Sequence, residues 1–441
     1  MKKRLRMVSI TVLVLIAVSC QVTVDPGGLL FKEPVWVFEI EGRPDENERG
    51  VFIHNTLDQG YITLSEITNQ SGSPYRATEG KDLLILKYDS EGTADTAFGE
   101  VRFVGNGDET GVSIQQNPNG DGYLLAANTD STRLSQISDY HGQTDTLFVY
   151  LNNDGRIQWA LYYGGSEDDF VNGIHFSDDG ESFYAFGKTN STDGDFYSRN
   201  SDDFDGWATR FDIGKGTPSM YDGGVYGERD RDDEVTQFIV EDDGVYFMIG
   251  NSKQGDDQDI WVMKSKTLYA SQKWKHLFNT DSLESYSSII RVDVHDYIMA
   301  SEYNDNGNRD TLFRRFTTER LSSETLDVKL DWHQRYDYAN RDERIFGFGG
   351  YKSTGFAFAG INVDRGEENS LNVFYLLDVE TGEMAEREIF EADPGILYND
   401  MSRKNSDNHY GIIGEKKVNP ASERGSAERT YVNSSAIVGK L

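Results

Sequence analysis

Carboxylates are the groups in this chain most able to do chemistry. Asp and Glu number 75 against 43 Lys and Arg, a formal charge of -32 over 441 residues. Many of them fall in short segments that recur along the chain: Asp45-Glu46-Asn47-Glu48, Asp108-Glu109, Glu167-Asp168-Asp169, Asp230-Arg231-Asp232-Asp233-Glu234, Asp281 with Glu284, and Asp342-Glu343. With Asp203 and Asp205 of Ser201-x-Asp203-x-Asp205-Gly206, a candidate ligand or metal face comprises Glu167, Asp168, Asp169, Asp203, Asp205, Asp230, Asp232, Asp233, Asp342 and Glu343. Oxygens so grouped could hold Ca²⁺, which takes about six to eight such ligands. They could equally meet a basic partner, or only keep the chain solvated. The Asp203 segment lacks the closing Glu of a calcium loop. Zinc is not expected, because none of the seven histidines (His54, His141, His175, His276, His295, His333, His409) pairs at His-x-x-x-His spacing, and only one cysteine, Cys20, is present. No Gly-x-Ser-x-Gly and no phosphate-cradling glycine loop before a helix occurs, so no catalytic residue is assigned.

Acidic segments at intervals imply repeated elements that position them. Short apolar strands follow Gly or Asp turns with aromatic marks at Tyr61, Tyr123, Phe183, Tyr246, Tyr297, Phe356 and Tyr410, a mean step of about 58 residues. A second marker also comes in seven copies: a polar residue leading an alternating strand, as in Asp82-Leu-Leu-Ile-Leu-Lys, Asp145-Thr-Leu-Phe-Val-Tyr and Asp259-Ile-Trp-Val-Met-Lys. A third strand follows in six copies, and a fourth begins each unit. The strand missing from the last copy is present at the other end of the chain as Val35-Trp36-Val37-Phe38-Glu39-Ile40.

This pattern predicts an all-β fold: a seven-bladed β-propeller of four-stranded blades over residues 35–441, closed by the N-terminal strand completing the last blade. Rings of six or eight blades are its nearest alternatives. The complementary ends argue against an open solenoid, which needs distinct caps. Alternating strand direction puts the acidic between-unit loops on the same face as the long loops at 128–144, 189–204 and 415–433. The opposite face is expected to carry only tight hairpins. Tryptophans occupy two repeat slots, Trp36, Trp159, Trp274 and Trp332 in one and Trp207 and Trp261 in the other, as core residues would.

The third unit carries a resemblance. Tyr163-Gly164-Gly165-Ser166-Glu167-Asp168-Asp169, then Ala185-Phe186-Gly187-Lys188-Thr189-Asn190-Ser191 and Asp205-Gly206-Trp207-Ala208, are similar to the bacterial SBBP-type β-propeller repeat. The second unit shares it moderately; the sixth and seventh lack the Gly-Gly-Ser turn. The resemblance implies the propeller fold and no activity. Ser177-Asp178-Asp179-Gly180-Glu181-Ser182-Phe183 faintly resembles the Asp-box of sialidase-like propellers, but it occurs once and reads as a hairpin turn.

At the N-terminus, Lys2, Lys3, Arg4 and Arg6 precede an apolar run from Met7 to Val18, shorter than the roughly 20 residues a bilayer span needs. It ends in Ala17-Val18-Ser19-Cys20, which resembles a bacterial lipoprotein signal. Residues 1–19 are then the signal peptide, Cys20 is lipidated, and 20–34 form a short tether. Processing leaves 39 basic against 75 acidic residues, a charge of -36. Such acidity argues against nucleic acid as partner. The expectation is a monomeric, lipid-anchored cell-envelope propeller at the outer membrane or cell surface, attached to the membrane through its anchor only. It would bind a protein or glycan ligand through its long acidic loop face. The alternatives are a glycan-acting hydrolase or lyase using paired carboxylates, and a passive envelope scaffold. No cofactor is firmly implied; Ca²⁺ is the candidate ion.

Overall fold

A computed structural model describes residues 24–25, 28–29, 36–40, 46–69, 80–134, 137, 141–197, 203–214, 216–269, 274–280, 282–305, 307–320, 326–337, 341–351, 355–364, 371–390, 396–401, 409–417 and 428–436. The proposed signal peptide and Cys20 lie outside these residues. Two short strands, β1 (Val24–Asp25) and β2 (Gly28–Leu29), pair with each other and precede β3 (Trp36–Ile40).

The rest of the chain is a β-propeller of four-stranded antiparallel sheets. Six sheets each consist of four consecutive strands. The first comprises β4 (Glu46–Asn55), β5 (Tyr61–Asn69), β6 (Lys81–Tyr88) and β7 (Glu100–Phe103), and the second β8 (Glu109–Gln116), β9 (Tyr123–Thr129), β10 (Asp145–Leu151) and β11 (Ile157–Tyr163). The third comprises β12 (Asp169–Phe176), β13 (Ser182–Thr189), β14 (Asp205–Asp212) and β15 (Ser219–Tyr226). The fourth comprises β16 (Asp232–Val240), β17 (Tyr246–Gln254), β18 (Asp257–Ser265) and β19 (Trp274–Phe278). In the fifth are β20 (Leu283–Asp293), β21 (Asp296–Asp305), β22 (Asn308–Arg320) and β23 (Leu326–Tyr336). In the sixth are β24 (Glu343–Tyr351), β25 (Phe356–Val363), β26 (Leu371–Asp378) and β27 (Met384–Phe390). A further sheet is assembled across the two ends of the chain. It contains β28 (Ile396–Met401), β29 (His409–Lys417) and β30 (Glu428–Ala436), and its outer strand is β3, paired antiparallel to β30. The split predicted from the terminal sequences is therefore present.

Each sheet packs on the next through its first strand. β4 touches β8, β8 touches β12, β20 touches β24, and β28 touches both β24 and β4, so the array closes on itself. Apolar side chains from neighbouring sheets fill the space between them. Phe148, Trp159, Phe183, Trp207 and Phe211 form one such layer between the second and third sheets, with Tyr150 stacked on Trp159 at 5.4 Å and Phe183 on Phe211 at 4.9 Å. Trp207 and Trp261 are fully buried, as their repeat slots require.

Every first strand carries a register shift at the same place, for example between Gly111 and Ser113, Val171 and Gly173, and Tyr398 and Asp400. A bulge leaves backbone groups outside its own ladder, and side chains of the adjoining sheet take them. Asn128 accepts from Val171 N at 2.8 Å and donates to Val171 O at 3.1 Å. At the closing junction, Asn399 donates to Gly50 O at 2.8 Å and Asp400 accepts from Ile53 N at 2.9 Å.

The loop faces differ from expectation in three respects. The long loop expected at 415–433 is shorter, since β29 runs on to Lys417 and β30 begins at Glu428. The second-to-third-strand connection is long in the second and third sheets, but tight in the fourth (Gln254 to Asp257) and the fifth (Asp305 to Asn308). On the opposite face, residues 89–99 form a long connection between β6 and β7 rather than a tight hairpin. It is used to bring Asp95 to Lys87, as described below.

Candidate functional site

The ten carboxylates predicted to form one face occupy three separate inter-sheet junctions. Glu167, Asp168 and Asp169 lie between the second and third sheets. Asp203 and Asp205 adjoin Asp230, Asp232 and Asp233 between the third and fourth, where Asp233 N donates to Phe204 O at 2.7 Å. Asp342 and Glu343 lie between the fifth and sixth. Asp169, Asp205, Asp233 and Glu343 are buried, Asp168 and Asp203 are half-buried, and Glu167, Asp230, Asp232 and Asp342 are exposed.

Even exposed members serve the scaffold. Asp232 Oδ1 accepts from Phe204 N at 3.1 Å, and Asp342 Oδ1 accepts from Arg309 N at 3.0 Å. Asp108 does the same for Lys81 N at 2.9 Å. In each case a carboxylate at or just before the start of one sheet's first strand fastens the beginning of the third strand of the sheet before it. The recurrence of acidic loops thus has a structural cause, which accounts for part of their density.

Buried carboxylates recur too. Glu48, Glu109, Asp169, Asp233, Glu284 and Glu343 stand two residues before the bulge of their first strands, and all are inaccessible to solvent. The third strands add Asp82, Asp145, Asp205, Asp259 and Asp310 at their starts, also buried. Gly105 N donates to both Asp82 and Glu109 at 3.1 Å, so carboxylates of consecutive sheets share one donor.

The junction of the second and third sheets holds three such groups around Gly164-Gly165. Asp169 accepts from Gly165 N at 2.6 Å, from Ser191 Oγ at 2.8 Å and from Thr189 Oγ1. Asp145 accepts from His141 N at 2.7 Å through Oδ2, whereas its buried Oδ1 has no hydrogen-bond partner. Asp195 accepts from Gly164 N at 2.9 Å. A Cβ at position 164 would lie 2.3 Å from Asp145 Oδ1 and 2.8 Å from Asp169 Oδ2, so only glycine fits between these carboxylates. Burial pushes the Asp169 carboxyl up to about 6 against its hydrogen bonds, and raises Asp145 and Asp195 as well. The fifth sheet answers the same problem with cations. Glu284 is bound by Arg314 and by Ser301 Oγ at 2.6 Å, and Asp310 accepts from Arg335 Nε at 2.5 Å.

The short-hairpin face has its own polar ring, which spacing did not disclose. The marker strand that starts in Asp ends five residues on in Lys87, Tyr150, Arg210, Lys264 or Arg315. Lys87 Nζ lies 2.6 Å from Asp58 and 2.9 Å from Asp95. Arg315 pairs with Asp296 at 2.8 Å and Glu380 at 3.0 Å. Lys264 Nζ lies 2.6 Å from Glu241 Oε1 and 2.9 Å from His295 Nδ1. Tyr297 donates its hydroxyl proton to that same Oε1.

Among the described residues, one His and carboxylate group could hold a metal ion: Glu241, Asp243 and His295, with ligand atoms within 4.8 Å of one another. These positions are 54 residues apart at most, so a search for close ligand spacing passes over them. The donor set does not fit the Ca²⁺ considered above, because it includes an imidazole and supplies too few oxygens. The Lys264 ammonium also occupies the space between Glu241 and His295 that an ion would need. At the Asp145–Asp169 junction the oxygens of Asp169 are already taken by three donors. Neither cluster is a calcium site as it stands.

No family model matches this chain, and no curated protein matches it. Among solved structures it is similar to the periplasmic gluconolactonase PpgL of Pseudomonas aeruginosa, at 9% identity over 78% of this chain and 85% of that one, with a TM-score of 0.48. It is similar to the NanB sialidase of Streptococcus pneumoniae at 10% identity, 92% and 71% coverage, and a TM-score of 0.42. A prolyl endopeptidase structure matches at 11% identity, covering 84% of this chain but 45% of that one, with a TM-score of 0.41. Likeness this distant carries no inference about site or activity. The propeller assignment rests on the chain's own sheet order and inter-sheet packing.

Proposed function

We propose that this chain is a lipid-anchored lipoprotein of the bacterial cell envelope, with SBBP-type repeats. In this reading the sheet shared by the two ends is the seventh blade of a closed ring. The long-loop face of that ring is the binding surface, and its partner is a basic protein surface or a cationic glycan.

One observation carries the reading. Glu167, Asp230, Asp232 and Asp342 remain exposed on that face after the buried carboxylates have been committed to the scaffold. A rigid scaffold that displays like charges on loops attracts oppositely charged partners and speeds their encounter. The test is a pull-down from detergent extracts of envelope, comparing the full chain with the combined variant Glu167→Gln, Asp230→Asn, Asp232→Asn and Asp342→Asn. Amides still accept the backbone hydrogen bonds at 232 and 342, so the fold is kept. Loss of one identified basic partner supports the reading; an identical partner set for both proteins overturns it.

A further inference from the structure

Among the described residues, two of the cations that end the third strands are lysines in the same register, and their surroundings differ. The carboxylates facing Lys87 meet water: Asp58 is 55% and Asp95 29% exposed. Lys264 is 3% exposed and Glu241 1%, so water is excluded from both members of that pair. The Phe247 and Tyr297 rings cover the Lys264 ammonium at 5.5 and 5.9 Å.

Glu241 is unevenly served. Its Oε1 receives Lys264 Nζ and the Tyr297 hydroxyl, with His295 Nδ1 3.0 Å away, whereas its buried Oε2 has no hydrogen-bond partner. An ammonium offers donors only, so His295 Nδ1 accepts from Lys264. Burying two charges and an unsatisfied oxygen is costly. Condensation to an amide removes all three.

We propose that Lys264 and Glu241 are joined by an intramolecular isopeptide bond, formed with the help of His295 and Tyr297. His295 Nδ1 takes a proton from the ammonium, and the freed Nζ lone pair attacks Glu241 Cδ. The Tyr297 hydroxyl stabilises the charge that develops on Oε1. Oε2, which nothing holds, receives both protons lost by nitrogen, relayed through His295, and departs as water. One C–N bond forms, one C–O bond breaks, and nothing is oxidised or reduced. Burial holds the Lys264 ammonium below the ordinary lysine range, which favours the neutral nucleophile. The His295 side chain is 38% exposed, which gives the departing water a path to solvent.

Peptide mass spectrometry of the proteolysed full chain tests this. The expected product is a branched peptide that joins the Glu241 and Lys264 segments and is one water lighter than their sum. Two linear peptides at their sequence masses, with Lys264 acetylated after unfolding, would overturn the proposal without any variant. Lys264→Arg and Glu241→Ala should abolish the branched species, and His295→Ala should slow its accumulation after refolding. An unchanged rate in His295→Ala would remove His295 from the mechanism. Lys87 is the internal control, and a branched Lys87 peptide would refute the argument from burial.

Discussion

The Asp145–Asp169–Asp195 junction should make this protein more stable in mild acid than at neutral pH. Asp169 is completely buried, and its carboxyl is pushed from 3.8 to about 6. The folded state therefore binds that proton more tightly than the unfolded chain does. The stability it contributes is complete below the unfolded value near 4 and is lost as pH rises to about 6. The difference is worth about 3 kcal/mol at neutral pH. Asp145, Asp195 and Asp233 are raised by the same cause and act in the same direction, and Asp400, lifted to about 7, extends the window upward. Asp58, Asp95 and Glu228 are held low by lysines and act oppositely, but only nearer pH 4. Thermal melts at closely spaced pH values should show Tm rising by several degrees from pH 7.5 to about 5. Acid also relieves the general repulsion of so negative a chain, so the specific share must be isolated. Asp169→Asn keeps the acceptor for Gly165 N and cannot ionise; its Tm gain should be smaller than wild type by a few degrees. Glu167→Gln removes the same charge from the exposed part of the loop and should retain the full gain. A wild-type Tm that falls between pH 7.5 and 5, or an Asp169→Asn variant with undiminished pH dependence, would refute the reasoning.

Gly164→Ala places a methyl group against Asp145 and Asp169 and should lower stability by about 1–3 kcal/mol in chemical denaturation. Arg314→Met leaves Glu284 buried without its cation and should cost about 3–5 kcal/mol, read by the same assay at neutral pH. Chelator or millimolar Ca²⁺ should leave Tm unchanged, since neither carboxylate cluster offers a calcium donor set; a shift on calcium addition would reopen the ion reading. Cys20→Ser should abolish incorporation of radioactive fatty acid, and label retained in that variant would remove the lipoprotein assignment.

The repeated Asp-led strands and aromatic marks made the propeller legible in the sequence, because a four-stranded unit cannot bury its faces alone and must recur in register. The end strand at Trp36–Ile40 could be matched to the incomplete last unit for the same reason. Carboxylate positions were legible as well, but their roles were not. Asp168 and Asp169 are adjacent in the chain, yet strand alternation turns Asp169 into the junction and leaves Asp168 half-exposed. Asp232 and Asp342 look like ligand-binding acids until the preceding sheet is in place, when each proves to receive a backbone N–H. The grouping of Glu241, Lys264, His295 and Tyr297 draws on two sheets. No spacing announces it, since only packing of the fourth sheet on the fifth brings those side chains together. The sequence by itself determined the strands, their order and where the charge recurs, because those follow from local pattern. Tertiary structure alone decided which carboxylates are buried and which stay exposed, because burial depends on neighbours distant in the chain.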